Sequence, residues 1–351
     1  MIIPMRTYNV MKIRLGTFLF RTTVKALRGF FKYKLGIPNP VAAQWEITYN
    51  CNFKCKYCNV WRNKNNKVKE LSLDKIKNII DQLDRIGVIW ITFTGGEPLL
   101  KKDFPEIIKY CNEKGIITAI NDNGSLLKRK LPEIKDYLNS IGVSIDSHDE
   151  RINDDIRGVK GAFKKALSSA IESKEYIRTV VNMTVTSKSL NSLEKMAVLC
   201  KRNGLKVAFT PVSIIPTEGY EKTCAKTVMV DPVKFYDIVL KLSKKYDNVV
   251  FFKPYMELIR DGGVSRSNFV CQTPKLMINL KPNGDVIYPC GYFPVKRFSA
   301  KKMSIKEIVK KSRGFVGKYF DFCDNCTLFC FLGPSLVINN VKEFRKFAKM
   351  I

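Results

Sequence analysis

Short β-rich runs alternate with charged helical stretches from residue 43 onward, and this alternation restricts the fold more than any other feature. Stretches with helical periodicity, such as 72–86 and 103–114, separate six such runs. Strands that alternate with helices build parallel βα units, so we predict an α/β fold with a partial (β/α)6 barrel. The predicted strands are 44–48, 90–94, 116–120, 141–145, 179–184 and 206–211.

The N-terminal segment differs from the rest of the chain in charge. Residues 1–45 contain eight Lys and Arg and no Asp or Glu, and basic residues recur at helical spacing among apolar ones until Gly36. A basic amphipathic helix is typical of a segment that lies in a membrane interface. We therefore predict that residues 1–42 form an amphipathic helix that docks on a membrane. The alternative is a helix whose apolar face packs on the protein's own core, with its basic face in water.

Composition excludes several functional classes. The single histidine, His148, cannot build a histidine-rich metal site, and no apolar run reaches the about 18 residues needed to span a bilayer. The N-terminus lacks the pattern of a secretory signal, so the eleven cysteines favour metal ligation over a disulfide framework. The net charge of +29 calls for an acidic partner or surface.

The first group of cysteines follows the first predicted strand. Cys51, Cys55 and Cys58 form a C-x3-C-x2-C loop. Three thiolates on one short loop can hold three irons of a cubane iron–sulfur cluster and leave the fourth iron open for a substrate or cofactor. A structural zinc site is the alternative, and it would need a fourth Cys or His that does not follow nearby.

A glycine-rich turn, Thr94-Gly95-Gly96-Glu97-Pro98, ends the second predicted strand, where open backbone groups and a carboxylate could grip an amino-acid moiety. Together with the C-x3-C-x2-C loop one strand earlier, this turn resembles the radical S-adenosylmethionine (SAM) superfamily. The resemblance implies that the three cysteines hold a [4Fe–4S] cluster whose open iron binds SAM. It also implies that reductive cleavage of SAM gives a 5′-deoxyadenosyl radical, which abstracts hydrogen from an unactivated C–H bond.

The same resemblance implies which residues contact SAM, and it assigns no acid–base catalyst. Tyr57 matches the aromatic position that faces adenine, and Gly95, Gly96 and Glu97 match the methionine-binding turn. For the polar residues beyond this turn, a strand-end cap or a turn is the alternative role. Those further implied contacts are Asn123 after the third strand, Ser144 and Asp146 after the fourth, Arg157 for the SAM carboxylate, and Asn182 on the fifth strand.

Five cysteines beyond residue 263 form the second group. The stretch from Cys271 to Cys290 predicts a β-hairpin about residues 283–285 that brings the two cysteines together, and a later C-x2-C-x3-C can complete a four-thiolate site. This pattern resembles the SPASM/twitch extension of radical SAM enzymes and implies one auxiliary [4Fe–4S] cluster. Full SPASM domains carry more cysteines and two clusters, and a zinc knuckle is the alternative. The later cysteines are Cys323, Cys326 and Cys330. One cluster needs only two of these three, and the spacing does not identify the one that is left over.

These features divide the chain into three predicted parts. They are a membrane-docking segment over 1–42, a radical SAM partial barrel over 43–262 and a small Cys-rich cluster domain over 263–351. The remaining cysteines stand alone in the sequence and are interpreted as buried hydrophobes. They are Cys111, Cys200 and Cys224.

The substrate prediction has two forms. The layout resembles archaeal radical SAM enzymes that form C–C bonds between isoprenoid chains of ether lipids, and a lipid substrate agrees with a basic amphipathic segment. The alternative is a SPASM-type maturase that modifies a ribosomally made peptide. Either form implies a low-potential electron donor such as ferredoxin or flavodoxin. We expect a cytoplasmic enzyme associated peripherally with the inner face of the cell membrane. We expect no nucleic-acid partner, because no RNA-binding module is recognisable.

Overall fold

The computed structural model describes residues 5–37, 39–58, 60–62, 68–212, 229–263, 269–291, 293–315, 326, 329–340 and 342. Within these residues ten strands, numbered in chain order, form one sheet. They are β1 (Ala42–Thr48), β2 (Trp90–Gly95), β3 (Ile117–Asp122), β4 (Ser140–Ser144), β5 (Arg178–Val185), β6 (Lys206–Pro211), β7 (Val249–Val250), β8 (Met277–Leu280), β9 (Asp285–Cys290) and β10 (Phe293–Ser299).

The sheet is open and has the strand order β10-β9-β8-β1-β2-β3-β4-β5-β6-β7. β1 to β7 pair in parallel with their neighbours, and β8 is also parallel to β1. β9 and β10 complete an antiparallel meander with β8. The six predicted strands correspond to β1 to β6, with ends that differ by no more than two residues, so the α/β prediction is confirmed.

Helices connect the strands and cover the sheet. The α-helices of the described residues are α1 (Met5–Lys34), α2 (Leu73–Ile86), α3 (Phe104–Glu113), α4 (Leu127–Ile134), α5 (Glu150–Arg157), α6 (Ala162–Ser173), α7 (Leu193–Arg202), α8 (Pro232–Lys245), α9 (Lys253–Arg260), α10 (Thr273–Leu276), α11 (Ile305–Lys311) and α12 (Phe329–Asn339). Short 3-10 turns lie at Val60–Arg62, Pro98–Leu100, Leu190–Ser192 and Ser312–Phe315.

The core forms where the apolar faces of these helices meet the sheet. In α2 the buried residues Ile76, Ile79, Ile80 and Leu83 have the i, i+3, i+4, i+7 spacing that places them on one face. Central strands of a parallel sheet are covered on both faces, so they bury large side chains. The fully buried aromatic rings at the centre are Trp45, Phe93 and Phe104, with centroids 6.0 Å and 5.4 Å apart in that order.

The C-terminal hairpin belongs to the same sheet as the barrel strands. β8 and β9 pair about a turn at Gly284, whose φ of +88° favours glycine, so the predicted hairpin is confirmed. Lys281 beside this hairpin forms an ion pair with Glu46 of β1. The sheet therefore continues across residue 262, and the division between 43–262 and 263–351 stays a prediction.

Helix α1 confirms the predicted N-terminal helix, and its polar side faces the barrel. The Arg21 guanidinium donates to the carbonyl of Glu113 (2.7 Å), and Lys25 Nζ donates to the carbonyl of Lys114 (2.6 Å). Lys25 also forms an ion pair with Asp84 at 2.5 Å. The alternative, in which the apolar face packs on the core and the basic face lies in water, is therefore wrong for the described side chains. Helical periodicity could not show this, because it does not identify the face that meets a neighbour. Of the helices that the structure describes, none combines the length and apolar character that crossing a bilayer requires.

Candidate functional site

The predicted site residues come together at one edge of the sheet. β1 to β5 run parallel, so their carboxyl ends lie side by side, the usual location of sites in parallel α/β folds. The cysteine loop follows β1, the glycine-rich turn follows β2, Asn123 follows β3, and Ser144 ends β4 with Asp146 just beyond it. Asn182 lies on β5, opposite Ser144 in the strand register.

The cysteine loop is anchored to the end of helix α5. The backbone N–H of Lys56 donates to the carbonyl of Ile156 (2.9 Å), and Trp61 Nε1 donates to the carbonyl of Cys55 (3.0 Å). Gly158, with φ +70°, ends α5 so close to the loop that a Cβ there would overlap the carbonyl of Lys54. This explains why glycine follows Arg157 in the sequence, because only glycine allows the end of α5 to lie so close to the cysteine loop.

The three thiols of the loop share one buried environment. Cys51, Cys55 and Cys58 pack with Phe53 and Ala162 in a small apolar cluster. Burial raises the pKa of Cys51 to about 11 and that of Cys58 to about 12, and it also raises the pKa of Cys55. The neighbouring thiols raise the pKa of Cys58 further, so the three thiols interact electrostatically. Without a metal they are protonated at neutral pH, and ligation must release their protons.

This soft donor set of three sulfurs fits an iron–sulfur cluster better than a hard cation. In the described part of the chain, no three His, Cys, Asp or Glu side chains already converge on one metal position. A cubane cluster binds each thiolate on a different iron, so the three thiols need not converge on one point to hold it.

A buried network connects the loop to β4 and α5. Tyr57 OH donates to Asp146 Oδ2 (2.8 Å), and Arg157 Nη1 donates to both the Tyr57 hydroxyl (2.8 Å) and Asp146 Oδ2 (3.1 Å). The backbone N–H of Thr184 donates to the other Asp146 oxygen (2.9 Å). Burial and the Asp146 charge raise the pKa of Tyr57, so its hydroxyl stays a hydrogen-bond donor. The predicted residues Tyr57, Asp146 and Arg157 thus form one unit.

One atom of this network has no partner. Arg157 is 6% exposed, and its Nε is buried without a hydrogen-bond acceptor among the described residues. An unsatisfied buried donor is costly, and a guanidinium binds carboxylates through paired N–H groups. This unpartnered N–H is compatible with a carboxylate ligand, and the role of Arg157 toward the SAM carboxylate stays a prediction.

The glycine-rich turn packs directly against the end of β1. A Cβ on Gly95 (φ +125°) would overlap the carbonyl of Thr48, and a Cβ on Gly96 would overlap that of Asn50. The backbone N–H of Gly96 donates to Thr48 (2.9 Å), and that of Glu97 donates to Asn50 (2.7 Å). These two N–H groups are thus engaged within the protein, and binding of the SAM methionine by the turn stays a prediction. The glycines allow two strand ends to meet at the site.

The Glu97 carboxylate is also engaged within the protein. It accepts hydrogen bonds from the backbone N–H of Leu99 (3.0 Å) and of Asn123 (2.9 Å). Burial and the nearby Asp122 charge raise the pKa of Glu97, and burial raises the pKa of Asp122. The Glu97 side chain thus positions the turns after β2 and β3, and its predicted part in binding SAM stays a prediction. Sequence reasoning did not assign the partner Asp122 to the site, although it lies in a run of polar residues at the end of β3.

Hydrogen bonds between asparagine side chains connect neighbouring strand ends beside Glu97 and Asp122. Asn123 Nδ2 donates to Asn52 Oδ1 (2.8 Å), which ties the turn after β3 to the cysteine loop. Asn182 Nδ2 donates to Asn121 Oδ1 (3.1 Å) across β4, where Gly142 leaves the space for both side chains. Asn52, Asn121 and Gly142 were not predicted, because these contacts join positions far apart in the sequence.

The second cysteine group is described in part. Cys271 precedes α10, Cys290 ends β9, and Cys326 packs against the main core, while Cys323 and the side chain of Cys330 lie outside the described residues. The described cysteines form no disulfide. As predicted, two lone cysteines are fully buried among apolar side chains, and Cys224 lies outside the described residues. The buried pair is Cys111 and Cys200.

Comparison with known proteins gives a family match over the barrel. Residues 45–210 match the sequence model of the Radical SAM superfamily. The chain is 33% identical over 185 residues to the AdoMet-dependent heme synthase of Nitratidesulfovibrio vulgaris, covering 52% of this chain and 50% of that protein. It is 29% identical over 183 residues to the mycofactocin maturase MftC of Mycolicibacterium smegmatis, covering 51% and 46%. The chain thus spans about half the length of these two relatives.

Solved structures share the fold at low sequence identity. Streptococcus suis SuiB bound to precursor peptide SuiA has a TM-score of 0.63 at 18% identity, covering 87% of this chain and 74% of that chain. The structure of anSMEcpe with bound AdoMet has a TM-score of 0.61 at 19% identity, covering 88% and 97%. The match over 45–210 agrees with the cysteine loop and glycine-rich turn described above. The chain therefore contains a domain of the radical SAM superfamily, whose cofactors are a [4Fe–4S] cluster and SAM.

Proposed function

We propose that this protein is a radical SAM enzyme that modifies a ribosomally made peptide. The proposal rests on alignment with a maturase together with a precursor peptide bound in a structure of the same fold, because heme synthases align over as much as 301 residues and alignment alone does not separate the two. The mycofactocin maturase MftC of Mycobacterium tuberculosis aligns over 267 residues at 28% identity, covering 74% of this chain and 67% of that protein. A structure of the same fold also holds a precursor peptide.

The residues of the site have distinct roles in this proposal. Cys51, Cys55 and Cys58 hold the cluster, and Arg157 orients the SAM carboxylate. Asp146 and the Tyr57 hydroxyl fix the Arg157 guanidinium through its Nη1 atom. When bound, the cluster and SAM supply a radical that abstracts hydrogen from an unactivated C–H bond. The buried surroundings of the loop exclude water from this chemistry.

The second cysteine group completes the proposed enzyme. Cys271 and Cys290, with two of the three cysteines Cys323, Cys326 and Cys330, hold an auxiliary [4Fe–4S] cluster. With four thiolates this cluster has no open iron, so it accepts or relays an electron instead of binding substrate. A ferredoxin or flavodoxin supplies the low-potential electron to the first cluster.

The experiment is anaerobic reconstitution followed by turnover with a peptide encoded beside this protein's gene. We expect a peptide product whose mass has changed, formed together with 5′-deoxyadenosine. Cys51→Ala should abolish both products, and Cys200→Ala, which changes a cysteine far from the site, should keep them. A porphyrin substrate is tested in parallel, because heme synthases are also relatives. Turnover of the porphyrin without change of the peptide would exclude the peptide function.

A second candidate is the formation of a C–C bond between lipid chains. It is favoured by the apolar side chains that α1 exposes to solvent, among them Phe20 and Phe31. The same reconstituted enzyme is incubated with ether-lipid vesicles, and extracted lipids are analysed by mass spectrometry. Loss of two hydrogens per new bond is expected for a cross-link, and an unchanged lipid mass would reject this candidate.

A further inference from the structure

Helix α1 exposes a continuous apolar stripe on the side away from the barrel. Phe20, Val24, Leu27 and Phe31 follow an i, i+4, i+7, i+11 pattern, which places them on one helical face. These four side chains are between 48% and 70% exposed. We call them the outer face of α1. Isolated exposed apolar residues are common on proteins, but an aligned row of this length marks an interaction surface.

The polar contacts of α1 fix this orientation. In addition to Arg21 and Lys25, the Thr22 hydroxyl hydrogen-bonds to the carbonyl of Gly115 (3.0 Å), and Lys32 Nζ donates to Asn39 Oδ1 (2.9 Å). Gly29 is buried, and a Cβ there would press against Val41. Turning the apolar row inward would break these contacts, so the outer face is a feature of the folded protein.

A basic cleft lies directly beside the outer face. It has a volume of about 1100 Å³ and is formed by α1, the end of α2 and the start of α11. Its one acidic side chain, Glu307, is engaged by the backbone N–H and hydroxyl of Ser304. Burial and the nearby charges of other cations lower the pKa of Lys32, which indicates crowding of like charges. The cations of the cleft include Arg28, Lys32, Arg85, Lys302, Lys306 and Lys310.

We propose that the outer face of α1 and the basic cleft together dock this protein on an anionic lipid bilayer. The outer face enters the interface between headgroups and acyl chains, and the cleft holds phosphate headgroups. A convex helix face with flanking cations fits a flat, negatively charged, partly apolar surface. A second copy of this chain does not fit, because it would bring two basic clefts together. The proposal does not depend on the peptide function.

Vesicle flotation of the reconstituted full-length protein tests the docking. Vesicles of phosphatidylglycerol should carry the protein to the top of the gradient, and vesicles of phosphatidylcholine should not. Phe20→Ser/Phe31→Ser should weaken binding at least about tenfold. Lys302→Gln/Lys306→Gln should weaken it about tenfold to thirtyfold on phosphatidylglycerol.

Matched controls change the same residue types elsewhere on the surface. Tyr176→Ser/Val233→Ser removes two exposed apolar side chains, and Lys234→Gln/Lys241→Gln removes two exposed charges of α8. Both should bind vesicles like the wild type. Equal binding by Phe20→Ser/Phe31→Ser would overturn the proposal. Binding of soluble polyglutamate without binding of vesicles would also overturn the proposal, because it would assign the cleft to an acidic peptide. SAM cleavage is measured separately, so failure of docking is distinguishable from failure of the enzymatic function.

Discussion

The two groups of cysteines lie on different parts of one sheet and differ in what holds them in place. The first group occupies eight residues of a single loop, which α5 anchors and the Arg157 network borders. The second group is spread from Cys271 before α10 to Cys290 at the end of β9 and Cys326 beyond α11. A compact loop can be arranged by its immediate neighbours, whereas a dispersed set requires the tertiary fold. The difference suggests that the two groups have separable functions.

Loss of a cysteine from each group should have different consequences. Cys55→Ala should lower SAM cleavage more than about a hundredfold, since changes even to residues behind metal ligands cost about 10–100-fold. Cys290→Ala should retain SAM cleavage but lose the modified product. Iron content should fall from about eight to about four per chain in both variants. Equal loss of SAM cleavage in both would show that the groups are not separable.

The buried ion pair of the Arg157 network should matter more than the partly exposed pair between Glu46 and Lys281. Asp146→Ala leaves the Arg157 guanidinium buried without its partner, so we expect a loss of about 3–5 kcal/mol in the free energy of unfolding. Glu46→Ala breaks the pair with Lys281, in which both side chains are 17% exposed, and should cost less, about 1.5–3 kcal/mol. Urea unfolding measures both. Similar costs would contradict the argument from burial.

The two carboxyls behind the glycine-rich turn should respond unequally to amide substitution. Glu97→Gln places the side-chain amide NH2 opposite the backbone N–H of Leu99 or of Asn123. That backbone N–H then lacks an acceptor, at a cost of about 1–3 kcal/mol. Asp122→Asn keeps an acceptor for the N–H of Gly124 and removes a like charge, so it should be neutral or stabilising. The unfolding midpoints of both variants check this order, and a larger loss for Asp122→Asn would contradict it.

The same pair predicts a pH dependence of stability. The raised pKa of Glu97 means that the folded chain binds a proton which the unfolded chain has released above about pH 4.3. Stability should therefore fall as pH rises from this value through the raised pKa, by at most about 1.4 kcal/mol per pH unit and proton. Asp122→Asn, as the matched variant, should reduce the slope in urea unfolding between pH 5 and 8. An unchanged slope would place the titrating group elsewhere.

Sequence reasoning reached the parts of the fold that depend on local pattern. Strand periodicity located β1 to β6, and the spacing of Cys51, Cys55 and Cys58 located the cofactor loop. The pairing of Glu97 with Asp122 and the contact between Asn121 and Asn182 were not predictable, because they depend on how separate strands are arranged. The orientation of α1 was also inaccessible, since the partner residues Glu113 and Lys114 lie far away in the sequence.

The pairing of β1 with β8 sets the order in which this protein can be completed during synthesis. Ala42 pairs with Trp90 on one side and with Met277 on the other, and Met277 lies 235 positions after Ala42. At about 5–20 residues per second, a ribosome needs roughly 10 to 50 s to make that stretch. One edge of β1 thus stays unpaired until β8 has been made. The loop of Cys51, which follows β1, is fully supported only after β8 has paired. Cluster insertion into the finished sheet is therefore expected to follow translation.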